Sequence, residues 1–261
     1  MTRTAIKARM RRVPMLYAMA LVAAKALEIR RGRWTEPELR LIPHVVHSGE
    51  SAVDVGANYG LWSYHLARAV GDGGTVVAFE PVPQTFKALR RVLWLLGAGR
   101  VRTINAGIGE RDERVAFAVP VASESGTTVG GLAHMVGAEG ARDDVVVEAD
   151  IKRLDGVGIA GDVALVKVDI EGAELYALRG ASALICDHHP IVICEIGQGL
   201  SEPRYGIKGS AVEDLLAGWG YETFKLVGGR LVRESIDGRS DGNYVFVPAA
   251  RRGRVAALMS G

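Results

Sequence analysis

Ser51-Ala52-Val53-Asp54-Val55-Gly56-Ala57-Asn58-Tyr59-Gly60-Leu61-Trp62 joins a short apolar run, an acid, a glycine turn and the start of a helical pattern. Ser51 to Val55 reads as a buried strand. Leu61 to Val70 reads as the helix that follows it. There Leu61, His65 and Ala69 trace one line, and Trp62, Leu66 and Val70 trace an apolar neighbour. Glycine lets a backbone turn tightly and approach a ligand. Asp54 lies near the strand's carboxyl edge, where open α/β sheets bind ligands. A dinucleotide site prefers a second glycine two residues after the first, so that the pyrophosphate reaches the helix amino terminus. Here Asn58 and Tyr59 crowd that space.

Working outward, Thr75 to Phe79 is a second strand, ended by Glu80 and Pro81. An acid at that place can accept both hydroxyls of a ribose, and its distance from Gly56 is that of a βαβ unit. An acidic, bulky loop with a ribose-binding acid suits a nucleoside ligand without phosphates. S-adenosylmethionine, with an ammonium and a sulfonium, is such a ligand. Thr85 to Leu96 reads as the next helix, stopped by Gly97, and Val101 to Ala106 as a third strand. Asn105 at its end has an amide suited to adenine or ribose, and asparagine also forms turns.

The pattern then changes. Arg114 to Val119 and Asp144 to Ala149 read as an antiparallel pair around a loop, Gly126 to Gly140, rich in Gly, Ser and Thr. Such an insertion, about residues 110–150, is a common place for substrate contacts. Parallel order resumes at Val163 to Val168, followed by a helix from Gly172 to Leu178, a strand at Ile191 to Glu195 and a helix at Val212 to Ala217. The last strands are Tyr221 to Val227 and Tyr244 to Val247. The alternation is that of βα units on a mostly parallel sheet.

The chain has 261 residues, 48% of them hydrophobic, enough for one large domain with a sizeable core. A net charge of +2 gives no basic nucleic-acid footprint. Cys186 and Cys194 make no disulfide framework, so a reducing, cytoplasmic compartment is expected. Residues 1–50 read as a separate basic helical arm before a domain at 51–261. Arg3 to Arg12 carries five basic side chains and no acid, and Val13 to Ala24 is almost wholly apolar. The run resembles a secretory signal, but it also suits a helix that packs on the domain or lies on a membrane surface. It is too short to span a bilayer before Lys25, Glu28, Arg30 and Arg31.

Val53 to Gly60, Ala78-Phe79-Glu80-Pro81 and Leu165-Val166-Lys167-Val168-Asp169-Ile170-Glu171-Gly172-Ala173-Glu174 together resemble the FkbM family of methyltransferases. Leu154-Asp155, Leu178-Arg179-Gly180-Ala181 and Glu195-Ile196 also resemble its pattern. The motifs are specific as a set and weak singly, and the likeness runs from about Ser51 to Val247. It implies a Rossmann-like class I methyltransferase fold: a mostly parallel seven-stranded sheet, helices on both faces and an inserted hairpin. It further implies S-adenosylmethionine as donor and a hydroxyl oxygen as the methylated atom. Known members act on macrolide, sugar and glycolipid hydroxyls. A hydroxyl of a sugar, glycolipid or oligosaccharide precursor, or a related natural product, is therefore the expected acceptor. Expected cofactor contacts are Asp54, Gly56, Asn58, Tyr59, Gly60, Glu80, Pro81 and Asn105.

Methyl transfer is an in-line displacement, so the protein must align the acceptor oxygen and remove its proton. Asp169 and Glu195 end adjacent strands and point to the same sheet edge. They read as base and partner, or as ligands of one Mg²⁺. Glu171 and Glu174 open the next helix, where acids also favour the helix dipole. Lys167 is unusual in an apolar strand and needs a carboxylate. Among the histidines, His134 in the inserted loop is the best candidate base. The expected partners are a small-molecule or saccharide acceptor, a membrane touched by the arm, and a second copy in a homodimer, with no nucleic acid.

Two other classes compete. A nicotinamide-dependent oxidoreductase would use Gly56 and Glu80 for a dinucleotide, and the missing middle glycine argues against it. A non-catalytic cofactor-binding scaffold would not need Asp54, Glu80, Asp169 and Glu195 together. The arm is expected to be retained in the mature protein. Amino-terminal sequencing of protein from its native cell should find residues before Ala20, and a start after Ala20 would imply export.

Overall fold

A computed structural model describes residues 14–119, 121–122, 127–128, 134–135, 145–197, 205–236 and 241–259; at 14, 15, 121, 122, 127, 128, 134 and 135 it describes the backbone alone. Arg3 to Arg12 and most of the inserted loop lie outside the described residues. The first described element is helix α1, Pro14–Arg30. The main sheet opens with β1, Ser51–Val55, then helix α2, Leu61–Val70, β2, Thr75–Phe79, helix α3, Pro83–Leu95, and β3, Arg102–Ile104. An excursion follows: β4, Gly107–Ile108; β5, Glu113–Val119; β6, Val121–Ala122; β7, Thr127–Thr128; β8, His134–Met135; and β9, Val145–Lys152. The chain returns through β10, Val163–Val168, helices α4, Glu174–Arg179, and α5, Ser182–His188, and β11, Ile191–Ile196. Helix α6, Ser210–Gly218, precedes β12, Tyr221–Val227, β13, Arg230–Arg233, and β14, Gly242–Pro248.

The sheet order is β13-β12-β14-β11-β10-β1-β2-β3. β3, β2, β1, β10 and β11 run parallel, and β14, β12 and β13 pair antiparallel. This is the expected α/β methyltransferase-type fold, with eight strands in place of seven. The additional strand is β13, which folds back on β12 through Gly228 and Gly229, both at positive φ. Two consecutive left-handed residues are what a tight hairpin turn needs, and glycine supplies them without strain. The third strand is shorter than expected and stops before Asn105.

Side chains alternate across the sheet. Ala52, Val76, Ala78, Ile191, Ile193 and Val245 bury one face against Leu66 of α2 and Leu89 and Leu93 of α3. Val53, Val55, Val77, Phe79, Val166, Val168 and Phe246 bury the other against Leu175, Leu178, Ile185 and Leu216. Helices therefore cover both faces, which a parallel sheet requires. The insertion forms its own sheet, β4-β9-β5-β8, with the expected antiparallel pairing of β5 and β9. Helix α1 lies on the domain, where Val22, Ala26 and Ile29 meet Leu61 and Val92.

Two glycines fix how closely these elements approach. Gly60 has a φ of +88°, and a Cβ there would lie 2.9 Å from Leu89 and 3.1 Å from Leu93. It sets the packing of α2 on α3. Gly56 has a φ of +83°, and its Cβ would lie 1.9 Å from the Asp169 carbonyl oxygen. The turn after β1 is thus pressed on the end of β10. Gly56→Ala should destabilise the fold by roughly 2 kcal/mol or more, from backbone strain plus overpacking. Urea unfolding checks this, and a loss below roughly 0.5 kcal/mol, the range of an ordinary surface change, would show the approach to be slack.

Candidate active site

The carboxyl ends of β1, β2, β10 and β11 open on one cavity of about 220 Å³. Gly56, Asn58, Glu80, Pro81, Asp169 and Glu195 line it. The turn after β1 is closed by the Gly56 and Ala57 amides, which both donate to the Phe79 carbonyl (3.1 and 2.8 Å). Asn58 takes a left-handed φ of 49°. Glu80 ties the two loops: its carboxylate accepts from the amides of Asn58 (3.1 Å) and Val82 (2.9 Å). Burial pushes its carboxyl up to about 8 against those two hydrogen bonds. The Asn58 side-chain oxygen is buried with no hydrogen-bond partner. A buried acceptor left in that state is costly unless a ligand donor meets it.

Register explains the second half. β10 and β11 pair Val168 with Cys194, so the next residues, Asp169 just past β10 and Glu195 near the end of β11, lie side by side at the sheet's carboxyl edge. The Glu195 carboxyl is pushed up to about 8 by partial burial, by the charge of Asp169 and by a hydrogen bond with it. The adjacent negative charge makes ionisation of Glu195 unfavourable, because like charges in contact repel. Behind them Lys167, 1% exposed, sits 3.7 Å from Asp169 and donates to the Asn243 side-chain oxygen at 2.9 Å. The buried lysine has the carboxylate its place in the strand demands.

Glu174 is structural. Its Oε1 accepts from the amides of Ile170 (3.3 Å) and Gly172 (3.0 Å), pinning the loop that carries Asp169. Glu171 lines the cavity, at a φ of 58°. These left-handed residues delay α4 to Glu174, two residues later than expected.

Four expected contacts, Tyr59, Gly60, Asn105 and Asp54, do not line this cavity. Tyr59 turns to the arm, edge-on to Trp34 with ring centroids 6.4 Å apart, and Lys25 lies over both rings. Gly60 packs α2 on α3. Asn105 does not line the cavity; its amide donates to the carbonyls of Glu80 (2.8 Å) and Pro81 (3.0 Å) and so clamps the loop after β2. Asp54, 2% exposed, accepts from the Ser63 hydroxyl at 2.5 Å, and burial pushes its carboxyl up to about 6. It lines a smaller cavity of about 80 Å³ beside the main one, with Lys167, Asp169, Trp34, Glu36 and Trp62. His134 stands on β8, whose backbone pairs with Ala118; its side chain lies outside the described residues.

Other wall residues had escaped the sequence reading. Phe117 and Ile151 come from the inserted sheet, Gly107 and Ile108 from the strand that enters it, and Tyr205 from the chain before α6. Alternation along β5 and β9 was the available signal for the first two. Trp34 and Glu36 come from the arm, where Glu36 accepts from the Trp62 indole at 2.7 Å and Glu38 accepts from the Asn243 amide at 3.3 Å. Nothing in their spacing marked them.

The Methyltransferase FkbM domain family matches residues 54–223, more than half of the chain. Methyltransferase 1 of Beauveria bassiana (strain ARSEF 2860) is 30% identical over 143 residues, which are 49% of this chain and 57% of that protein. Methyltransferase FkbM from Methylobacillus flagellatus KT aligns over 76% of this chain and 44% of its own, with 21% identity and a TM-score of 0.48. The chain thus spans about half the length of these two relatives. The O-methyltransferase TomG from Streptomyces achromogenes, in complex with SAM, aligns over 87% of this chain and 90% of its own, with 14% identity and a TM-score of 0.48.

The buried carboxyls have a consequence for stability. Asp54, Glu174 and Glu80 are raised by burial to about 6, 7 and 8. The folded state therefore holds protons that the unfolded chain releases above about pH 4. Their contribution is complete below that pH and is lost as pH rises to about 8, by ~1.4 kcal/mol per pH unit for each group still between its two values. Glu50 and Asp162 are lowered: burial opposes the shift, and arginine contacts outweigh it. Their contribution is lost on the acid side. Thermal melts of the ligand-free protein should show a maximum near pH 4 to 5 and a falling alkaline flank. Glu174→Gln should flatten that flank below pH 7; an unchanged slope would contradict the assignment.

Proposed function

The chain belongs to the FkbM methyltransferase family, and from that premise we propose that it methylates a hydroxyl of a sugar-like acceptor. The family implies S-adenosylmethionine as donor, and the dinucleotide alternative falls with it. The cavity fits that donor. Glu80 offers a carboxylate for ribose, Asn58 an unpaired acceptor, and Pro81, Ile108 and Phe117 an apolar slot for a base. When bound, the donor supplies a methyl carbon activated by its sulfonium. The residues do not fit Mg²⁺ in the same way. The Lys167 ammonium, 3.7 Å from Asp169, already supplies the pair with a positive charge and competes with a metal for it. No step is routed through a metal.

The observation that carries the reading is the Asp169–Glu195 pair on the cavity wall. A hydroxyl is a poor nucleophile until its proton leaves. The ionised member of the pair accepts that proton, and the protonated member holds it in place by their shared hydrogen bond. Lys167 offsets the charge of the pair and keeps it oriented. Glu171 and Tyr205 add polar groups to the same wall, as a polyhydroxylated acceptor needs for orientation. We place His134 as a further contact from the inserted strand.

General-base loss costs about 10²–10⁴-fold in rate. Asp169→Asn should lower kcat by that order while donor binding, followed by calorimetry, stays nearly unchanged. The rate of the unaltered protein should fall as pH rises through about 8, as Glu195 ionises and the pair loses its proton. Glu195→Gln should remove that inflection, and His134→Ala should lower turnover by a smaller factor. Full turnover in Asp169→Asn and Glu195→Gln, measured with a panel of sugars and glycolipid precursors, would leave alignment alone as the source of catalysis.

A further inference from the structure

Helix α1 has two apolar sides. Val22, Ala26 and Ile29 face the domain. Leu16, Met19 and Leu27 face outward, 49%, 56% and 44% exposed, and the exposed Ala23 continues their line at helical spacing. The sequence reading expects an amphipathic helix; from Leu16 to Ala24 the helix carries no charged side chain on any face, and Lys25, Glu28 and Arg30 follow only in its last turns. Helix α3 packs on it through Val92 and Ala88 and carries its own exposed apolar side chains, Trp94, 72% exposed, and Leu95, 44% exposed. Lys87, Arg90 and Arg91 stand on the same side of α3 as Trp94, at the i, i+3, i+4 and i+7 spacing of one helix stripe. With Trp94 they line an open groove of about 520 Å³ against Val101 and Thr103 at the sheet's edge strand, and no acidic side chain lines it.

We propose that α1 and α3 together seat on an anionic phospholipid surface. Leu16, Met19, Leu27 and Trp94 enter the boundary between headgroups and acyl chains, and Lys87, Arg90 and Arg91 meet the phosphates. Three observations select this occupant. The apolar stripe and the cation row lie on two helices in direct contact, the combination that an anionic interface rewards and that water penalises. Tryptophan favours such an interface because its ring is apolar and its indole N–H remains able to donate. The sequence just before Pro14 adds Arg3, Lys7, Arg9, Arg11 and Arg12 with no acid among them. Among the described residues no helix is long and apolar enough to cross a membrane. The inference does not rest on the acceptor reading, and each can fail alone.

Co-sedimentation of the full chain with vesicles tests it. Vesicles of phosphatidylcholine mixed with phosphatidylglycerol should retain the protein, and pure phosphatidylcholine should retain far less. Added salt should weaken retention, as for any contact between exposed charges. Arg90→Glu with Arg91→Glu should lower vesicle affinity roughly tenfold or more, and Trp94→Ala with Leu16→Ser should lower it on both vesicle types. All these side chains are outside the cavity, so binding of S-adenosylmethionine by calorimetry should be unchanged and reports that each variant is folded. Failure to bind anionic vesicles at low salt, or undiminished binding by the folded variants, overturns the proposal. So does sedimentation velocity showing a dimer held together by Leu16 and Leu27, or preferential retention of RNA through Arg90 and Arg91.

Discussion

An ammonium group inside a parallel sheet costs several kcal/mol unless opposite charge and lone pairs meet it. Lys167 imposes that condition on the carboxyl edge of this fold. Burial alone would lower its proton affinity, yet the charges of Asp169, Glu36 and Glu195 hold it above the usual lysine value. Its partners come from distant parts of the chain. Asp169 ends its own strand, Asn243 opens β14, and the Trp62 ring of α2 lies 5.5 Å away. Glu36 and Glu38 fix Trp62 and Asn243 in turn. The segment before β1 is for this reason more than an appendage: without it an indole N–H and a side-chain amide at the site would lose their acceptors.

The same cation shapes the chemistry. Two carboxyls forced together by strand register would repel if both were ionised. A proton on Glu195 and a nearby ammonium allow them to remain adjacent, which leaves one negative charge on the cavity wall. Glu174 holds the loop beneath them by two backbone hydrogen bonds and has no place on the cavity wall. Acids that look equivalent in the stretch Asp169 to Glu174 thus divide into two that face the cavity and one that braces it.

Much of the scaffold was legible because each core strand is a short apolar run closed by a glycine or an acid. β1, α2, β2, β10 and β12 have the limits that pattern assigns. What escaped depends on where a side chain turns once the fold has formed. Asn105 has the right chemistry for a nucleoside, but two backbone carbonyls lie within its reach and occupy its amide. Tyr59 follows the glycine turn, but a neighbouring tryptophan and lysine draw it away. Trp34 and Glu36 reach the edge of the site from a segment whose sequence shows only a helix and a polar turn. The Gly228-Gly229 pair was a readable hairpin signal, and it accounts for the eighth strand.

The inserted sheet leaves and rejoins the main domain at one doorway. β4, its first strand, pairs in parallel with the end of β9, its last, so that Gly107 lies against Ile151 and Ile108 against Lys152. Chain of any length can be strung between two points already held together, because closing a longer loop costs little additional entropy. Gly56, Glu80 and Pro81 on the cavity wall belong to turns of the main sheet, while Phe117 and Ile151 belong to the excursion. The excursion can therefore be lengthened, shortened or exchanged without disturbing the register of the main sheet, so that one half of the cavity wall is free to vary while the other is fixed.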